Sequence, residues 1–255
     1  MTQTAGRDNM EPPALLEAAD HDALRLLTLA GTNWRRPVPH CPAWDAAELV
    51  RHTGGILSWM SAVVESDQRV SRSALDPAPE NPVDLAGWYL AALGRTLDVL
   101  GSAHPDFETW TFSSSGDNRI RWWCRRLAVE VAIHRFDIEH AAAREDGPST
   151  TPLDGDVAAA GIEEFVIEFL PGLLNQVGID TLSGTLHLHA TDCPTEWWID
   201  LNHDGLARRE HAKADTALLG IRSDLLLWLT NRQPSEALTV HGERAVLERW
   251  GQLRR

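Results

Sequence analysis

A change of hydrophobic periodicity near residue 148 constrains the fold of this chain more than any other feature. Before it, apolar residues recur at helical spacing in four separate segments, over residues 12–32, 46–65, 82–102 and 120–144. After it, residues 185–190 alternate between polar and apolar side chains with a period of two, as a half-buried strand does. Four long helices followed by mixed helices and strands indicate an α+β protein.

Turn-forming residues mark the limits of the helical segments. Asp45, with Glu48 three positions later, resembles a capping box at the start of the second helix. Gly147-Pro148 ends the fourth helical segment and is a candidate domain boundary. We therefore predict a helical bundle over residues 1–148 and a smaller α+β domain with an antiparallel sheet over residues 149–255.

The elements of the second half are shorter. The pattern predicts a helix over 154–170 that ends at Pro171-Gly172, and strands over 185–190, 196–201 and 206–211, with a tight turn at 202–205. It further predicts a helix over 215–230, a short strand over 238–240 and a last helix over 243–253.

Ionisable side chains lie on apolar helix faces in the second and fourth helical segments. His52 shares a stripe with Leu49 and Ile56, and Glu130 and His134 are four residues apart on one face of the fourth helix. Burial of an unpaired charge is costly, so these groups need partners. A common cation would satisfy all three, and two imidazoles with one carboxylate form the usual open catalytic zinc set.

Other interpretations of these residues stay open at this point. A hydrogen bond between Glu130 and His134, with His52 as an unrelated core histidine, would also explain the burial. Asp137 continues the stripe and is either a site residue or the partner of an arginine at the helix surface. Gly54-Gly55, inside the second helix, indicates either a close-packed neighbour or a ligand.

Composition excludes several classes of function. The net charge of -14 would repel a phosphate backbone, so we expect no nucleic-acid partner. No run of about 18 apolar residues and no signal peptide is present, so we predict neither a membrane span nor secretion. Three cysteines without a CxxC pair argue against a disulfide framework and favour the reducing cytoplasm.

Several histidines lie in the predicted second domain. His187 and His189 share one face of a predicted strand, and His203 and His211 follow it. A second metal site there is conceivable, but solvent-facing or groove positions are the favoured interpretation.

Two stretches taken together resemble a known family. Residues 37–55, PVPHCPAWDAAELVRHTGG, and residues 123–137, WCRRLAVEVAIHRFD, resemble the opening motif and the E-x-x-x-H-R-x-D helix of mycothiol-dependent maleylpyruvate isomerase-like proteins. Residues 223–232 and 238–243 resemble the end of their second domain, with Asn231 where the family has glycine. The likeness covers nearly the whole chain.

The resemblance implies a DinB-like four-helix metalloprotein bundle over residues 1–148. It implies that zinc, or another divalent metal, is bound by His52, Glu130 and His134. It also implies an active-site role for Asp137 and for an arginine of the second domain. Arg232 is the first candidate for that arginine. Arg222 is the second.

The function implied by the resemblance is a cis–trans isomerase that uses mycothiol. A metal-held thiolate would add to an electrophilic small molecule, with Asp137 orienting a ligand or moving a proton and the arginine binding a substrate carboxylate. Alternatives are a mycothiol S-transferase, a metal-bound small-molecule-binding protein without turnover, and a bundle that has lost its metal. The sequence does not identify the substrate.

Overall fold

The first half of the chain is a bundle of four long helices. A computed structural model describes residues 10–143, 150–177, 183–202 and 206–250. The helices are α1 (Pro12–Thr32), α2 (Ala46–Ser66), α3 (Pro82–Ser102) and α4 (Ile120–Ala143). Their observed limits lie within one residue of the predicted ones, and the predicted α+β class is confirmed. The predicted stop at Gly147-Pro148 lies outside the described residues.

Local sequence explains where these helices begin. The Asp45 carboxylate accepts a hydrogen bond from the Glu48 backbone N–H at 2.9 Å, which caps α2. Asn81 accepts from the Val83 N–H, and Pro82 occupies the first turn of α3, where no partner for a backbone N–H is required. Both helices therefore start where a side chain satisfies their free N–H groups.

The fourth helix is the centre of the bundle. It packs against α1, α2 and the first helix of the second half, and most of its side chains are buried. Its buried residues include charged and polar ones: Glu130, His134, Arg135, Asp137 and Glu139. A helix enclosed on most sides carries its polar groups into the interior, where each needs a partner.

The second half begins with a continuous helical stretch of three parts. Helix α5 (Gly155–Glu164) passes through a π-helical segment (Phe165–Phe169) into α6 (Leu170–Val177). The prediction that Pro171-Gly172 ends the helix is wrong. Pro171 lies in the first turn of α6, after the π-helical change of register, where its missing N–H and its ring are tolerated.

The described part of the second half forms a five-stranded sheet in the order β3-β2-β1-β4-β5. Its elements are β1 (Thr185–Ala190), β2 (Glu196–Asp200), β3 (Leu206–Arg208), β4 (Thr216–Gly220), α7 (Arg222–Leu229), β5 (Thr239–Gly242) and α8 (Ala245–Trp250). All neighbouring strands are antiparallel except β1 and β4, which are parallel. The sheet is therefore mixed, whereas the sequence predicted an antiparallel one.

The parallel pair was missed because the predicted helix over 215–230 is wrong in its first third. Residues 216–220 form the strand β4, and the helix begins at Arg222. Hydrophobic periodicity does not separate a short apolar run in a buried strand from one in a helix. Whether residues 216–220 form a strand or a helix depends on their pairing with β1, which the local sequence does not reveal.

Helices α4, α5 and α7 meet in a close-packed junction. Gly161 of α5 has no room for a side chain because Leu226 of α7 and Val129 of α4 lie against it. This packing brings the end of α7 to the middle of α4. Asn231, just after α7, has a φ of 59°, a left-handed conformation that asparagine adopts more readily than most residues.

In the part of the chain that the structure describes, no helix combines the length and apolar character that crossing a bilayer requires.

Candidate metal centre

The three predicted ligand residues converge on one carboxylate oxygen. His52 Nε2 lies 3.3 Å from Glu130 Oε1, and His134 Nε2 lies 3.4 Å from the same oxygen. The two imidazole centroids are 5.1 Å apart, and the donor atoms of all three residues lie within 4.8 Å of one another. The second and fourth helices therefore present two nitrogens and one oxygen to a common point, so His52 is not an unrelated core histidine.

The far side of the His134 ring fixes its tautomer. His134 Nδ1 lies 2.9 Å from Asp137 Oδ2, and an ionised carboxylate only accepts hydrogen bonds, so Nδ1 carries the hydrogen. In the neutral ring Nε2 is then a bare acceptor that faces Glu130 Oε1. Two acceptors at this distance need a positive charge between them, either a proton on Nε2 or a metal ion.

Asp137 is ionised in this arrangement. Burial by itself would raise its pKa, but the hydrogen bond from His134 and the charge of Arg232 hold the pKa well below its usual range. The carboxylate is fully buried. Asp137 therefore stabilises the tautomer of His134 that carries its hydrogen on Nδ1, and it would also stabilise a positive charge near Nε2.

His52 is neutral at physiological pH. Burial is the main cause that lowers its pKa to about 4, and repulsion by His134, Arg72, Arg126 and Arg232 adds to it. Imidazole must be neutral to bind a metal ion. The electrostatics around His52 thus suit ligation.

The second oxygen of Glu130 is held by an arginine. Arg126, one turn earlier on α4, forms an ion pair with Glu130 Oε2, and it also donates to Glu164 of α5 at 2.8 Å. Glu130 Oε1 is left facing the two histidines. Arg126 was not among the predicted site residues, although its spacing of four residues from Glu130 was a usable signal.

Of the two arginines proposed from the second half, Arg232 reaches this centre. Its Nε and Nη2 donate to Asp137 Oδ1 and Oδ2 at 3.1 and 3.0 Å, and its Nη1 donates to the Thr230 carbonyl at 2.9 Å. Arg222 pairs instead with Asp192 and Asp156. Asp137 therefore forms a buried ion pair with Arg232, and not a salt bridge with an arginine at the helix surface.

Cys41 is a further neighbour that sequence reasoning did not place here. Its Sγ lies 3.6 Å from Asp137 Oδ2, and it groups with His134 and Asp137 rather than with His52 and Glu130. It lies on the Nδ1 side of His134, away from Nε2. Cys41 therefore does not close the coordination of an ion held by His52, Glu130 and His134.

The two adjacent glycines of α2 have different surroundings. A methyl group on Gly54 would overlap the Trp88 ring of α3, so this glycine is a packing notch. Gly55 has open space where its side chain would be, and it lines a cavity of about 550 Å³ together with His52 and Arg72. Helix packing thus explains Gly54, and a ligand space lies beside Gly55.

Two further cavities adjoin the centre. One of about 520 Å³ lies between α4, α6 and α7 and is lined by Glu130, His134 and Arg232. A larger one of about 980 Å³ has aromatic and cationic walls and shares Arg72 and Arg126 with its neighbours. Its remaining polar and aromatic wall residues include Trp59, Arg69, Trp110, Phe112 and Phe169. Trp122 and Trp123 are fully buried and line none of these three cavities.

Comparison with known proteins agrees with this architecture. Residues 16–139 match the family model of the mycothiol maleylpyruvate isomerase N-terminal domain, and residues 156–249 match that of the MDMPI C-terminal domain. A search of curated proteins gave no significant match.

Two solved structures share the fold. They are those of the mycothiol-dependent maleylpyruvate isomerase and of a histidine-to-alanine mutant of it, with TM-scores of 0.61 and 0.62. Each is 13% identical in sequence, and each alignment covers 92% of this chain and 95% of the other. At this identity the likeness is one of fold, and with the two domain matches it shows that this chain belongs to the mycothiol-dependent maleylpyruvate isomerase family.

Proposed function

We propose that this protein is a zinc-dependent, mycothiol-dependent cis–trans isomerase that acts on an electrophilic small molecule. The observation that carries the proposal is the pair of histidine nitrogens that face one oxygen of Glu130, an arrangement that a shared metal ion would satisfy. Two imidazoles and a carboxylate suit zinc, and no fourth protein donor joins this group among the described residues. An open position is what a thiol cosubstrate needs.

When bound, zinc lowers the pKa of a coordinated thiol, so that a thiolate is available at neutral pH to add reversibly to an electron-poor carbon. The residues of this chain prepare that site. His52 presents a neutral ring, Asp137 directs His134 Nε2 toward the ion position, and Arg126 fixes Glu130. Asp137 is thus a positioning residue in this proposal.

Arg232 supports Asp137 rather than the substrate. All three of its guanidinium nitrogens already donate hydrogen bonds, two of them to Asp137 and one to the Thr230 carbonyl. The resemblance implies that this arginine binds a substrate carboxylate, but three of its five N–H groups are already used, and only one on each Nη is left for a ligand. We therefore propose that Arg232 stabilises the charged form of Asp137.

Arg72 and Arg126 are better placed to bind an anionic substrate. Both line the cavity of about 980 Å³, and the Arg72 guanidinium lies over the Trp59 ring, 4.9 Å from its centroid. Among the described residues, Arg72 has no carboxylate partner, so its charge is available to a ligand. Aromatic walls with cationic groups favour a flat, conjugated carboxylate, which is also the chemistry of an electron-poor alkene acid.

Two other functions use the same centre. A mycothiol S-transferase would keep the thioether that an isomerase eliminates, and a metal-bound binding protein would turn nothing over. We favour the isomerase because the comparisons are with isomerases.

The three free cysteines, Cys41, Cys124 and Cys193, fit a reducing compartment, and a cytoplasmic location stays a prediction.

The test begins with zinc content, measured by elemental analysis on the wild type, His52→Ala and the surface control His104→Ala. We expect His52→Ala to lose one zinc per chain and the control to lose none. Equal zinc in all three, or no zinc in the wild type after zinc is offered, would contradict the proposal.

Maleylpyruvate and mycothiol are then added to the zinc-loaded wild type. A trans product without a lasting thioether supports the isomerase, and an accumulating thioether identifies the transferase. Bound zinc with neither product identifies the binding protein.

A further inference from the structure

A second group of metal-binding side chains lies on one face of the sheet. His187 and His189 of β1 point away from Leu186 and Leu188, which are fully buried on the other face. Glu196 of β2 lies directly opposite His189 in the antiparallel register, and His211, from the segment between β3 and β4, reaches the same carboxylate. None of these residues lines a cavity at the first centre.

Three imidazoles contact the single carboxylate. His187 Nε2 and His211 Nδ1 lie 2.8 and 2.7 Å from Glu196 Oε2. His189 Nδ1 lies 3.0 Å from Glu196 Oε1. One donor atom from each of the four residues lies within 4.8 Å of the other three, so small side-chain movements would bring all four onto one small cation.

We propose that His187, His189, Glu196 and His211 form a second metal site, which takes a zinc-like divalent transition-metal ion. Three nitrogens and one oxygen match the tetrahedral preference of zinc. Imidazole-rich sets also suit copper and nickel, whereas calcium and magnesium need more oxygen donors than this site offers.

The chemistry of this site differs from that of the first. Four protein donors complete a tetrahedral shell, so no position is open for a thiol or for water. The His187 side chain is only 9% exposed, whereas that of His211 is 81% exposed and lies on a segment without regular structure. A bound ion would therefore fasten the segment after β3 to the sheet, which is a structural role.

The experiment uses the full-length protein loaded with zinc and freed of excess metal by gel filtration. His52→Ala removes the first site, so zinc that it retains reports on the second site alone. We expect one zinc per chain in His52→Ala and none in His52→Ala combined with His211→Ala. His52→Ala combined with His241→Ala should keep one zinc, because His241 is an exposed strand residue outside the group.

The thermal unfolding midpoint gives a second readout. Zinc should raise the midpoint of His52→Ala and of the His241 control, and it should leave the variant without His211 unchanged. Because the His211 side chain is exposed, its removal should not disturb the core, and circular dichroism checks that the fold is kept. His52→Ala that retains no zinc, or an equal zinc content with and without His211, would overturn the second site whatever happens at the first.

Discussion

Arg232 and Asp137 form a two-point ion pair that joins the segment after α7 to the C-terminal half of α4. The two hydrogen bonds measure 3.1 and 3.0 Å, the Asp137 side chain is fully buried, and that of Arg232 is 19% exposed. On its other side Asp137 Oδ2 accepts from His134 Nδ1 at 2.9 Å. The pair thus links the two halves of the chain to the orientation of a candidate metal ligand.

The first prediction concerns stability. Arg232→Ala leaves the Asp137 carboxylate buried without its main counter-charge, so we expect a loss of about 3–5 kcal/mol in the free energy of unfolding. Urea denaturation of the metal-free protein measures it. Arg95→Ala is the matched control, because Arg95 pairs with Glu65 at the surface and should cost less than about 1 kcal/mol. Similar losses in the two variants would contradict the buried pair.

The second prediction concerns metal affinity. Asp137→Asn keeps the shape of the side chain but removes the charge that supports His134, so we expect zinc affinity to fall by about 10–100-fold. Competition with a coloured chelator measures the affinity. Glu139→Gln is the control: this buried carboxylate, two residues further along α4, contacts Arg25 and Arg135 instead. The prediction fails if the two variants bind zinc equally well.

Local patterns were sufficient for the bundle, and they singled out three candidate ligands that the family resemblance then favoured over the hydrogen-bonded alternative. Helical period and burial are properties of one segment, so His52, Glu130 and His134 could be assigned to inward faces without knowing which helices touch. The resemblance supplied Arg232, which no local pattern indicates. Asn231, a departure from the glycine of the family, adopts a positive φ that asparagine tolerates.

The missed features depend on contacts between distant segments. Strand β4 is identified by its pairing with β1, and the π-helical segment arises where α5 turns into α6. The position of Cys41 beside Asp137 joins residues 96 positions apart. Contacts over such separations leave no trace in hydrophobic period. The sequence therefore indicated candidate ligands but not the residues around them.

The third prediction separates the two glycines of α2. Gly54→Ala places a methyl group against the Trp88 ring, and overpacking of this kind costs about 1–3 kcal/mol. Gly55→Ala meets open space, so the higher helix propensity of alanine should stabilise the protein by roughly 1 kcal/mol. Urea denaturation of both variants compares them in one helix. If Gly55→Ala destabilises the protein as much as Gly54→Ala does, the packing around α2 does not distinguish the two glycines.

The fourth prediction concerns Glu168, in the π-helical segment. Burial by itself would raise its pKa, but hydrogen bonds from Ser114, Ser113 and Ser115 lower it to about 2, from an ordinary value of 4.5. The unfolded chain therefore takes up a proton at higher pH than the folded protein does. The stabilisation by the Glu168 carboxylate is complete above about pH 5 and is lost as the pH falls from 4.5 toward 2.

Glu168→Gln tests this dependence. At pH 6 we expect it to lower the free energy of unfolding by about 1–3 kcal/mol, because it loses hydrogen bonds to a charged acceptor. The difference from the wild type should shrink steadily in urea titrations at pH 6, 4.5 and 3, as the wild-type carboxylate loses its advantage. Ser114→Ala, which removes one hydroxyl donor and keeps the Ser114 backbone N–H, should show a smaller difference with the same trend. If the difference in the free energy of unfolding between Glu168→Gln and the wild type stays constant over this pH range, the hydrogen bonds from residues 113–115 do not depend on the charge of Glu168.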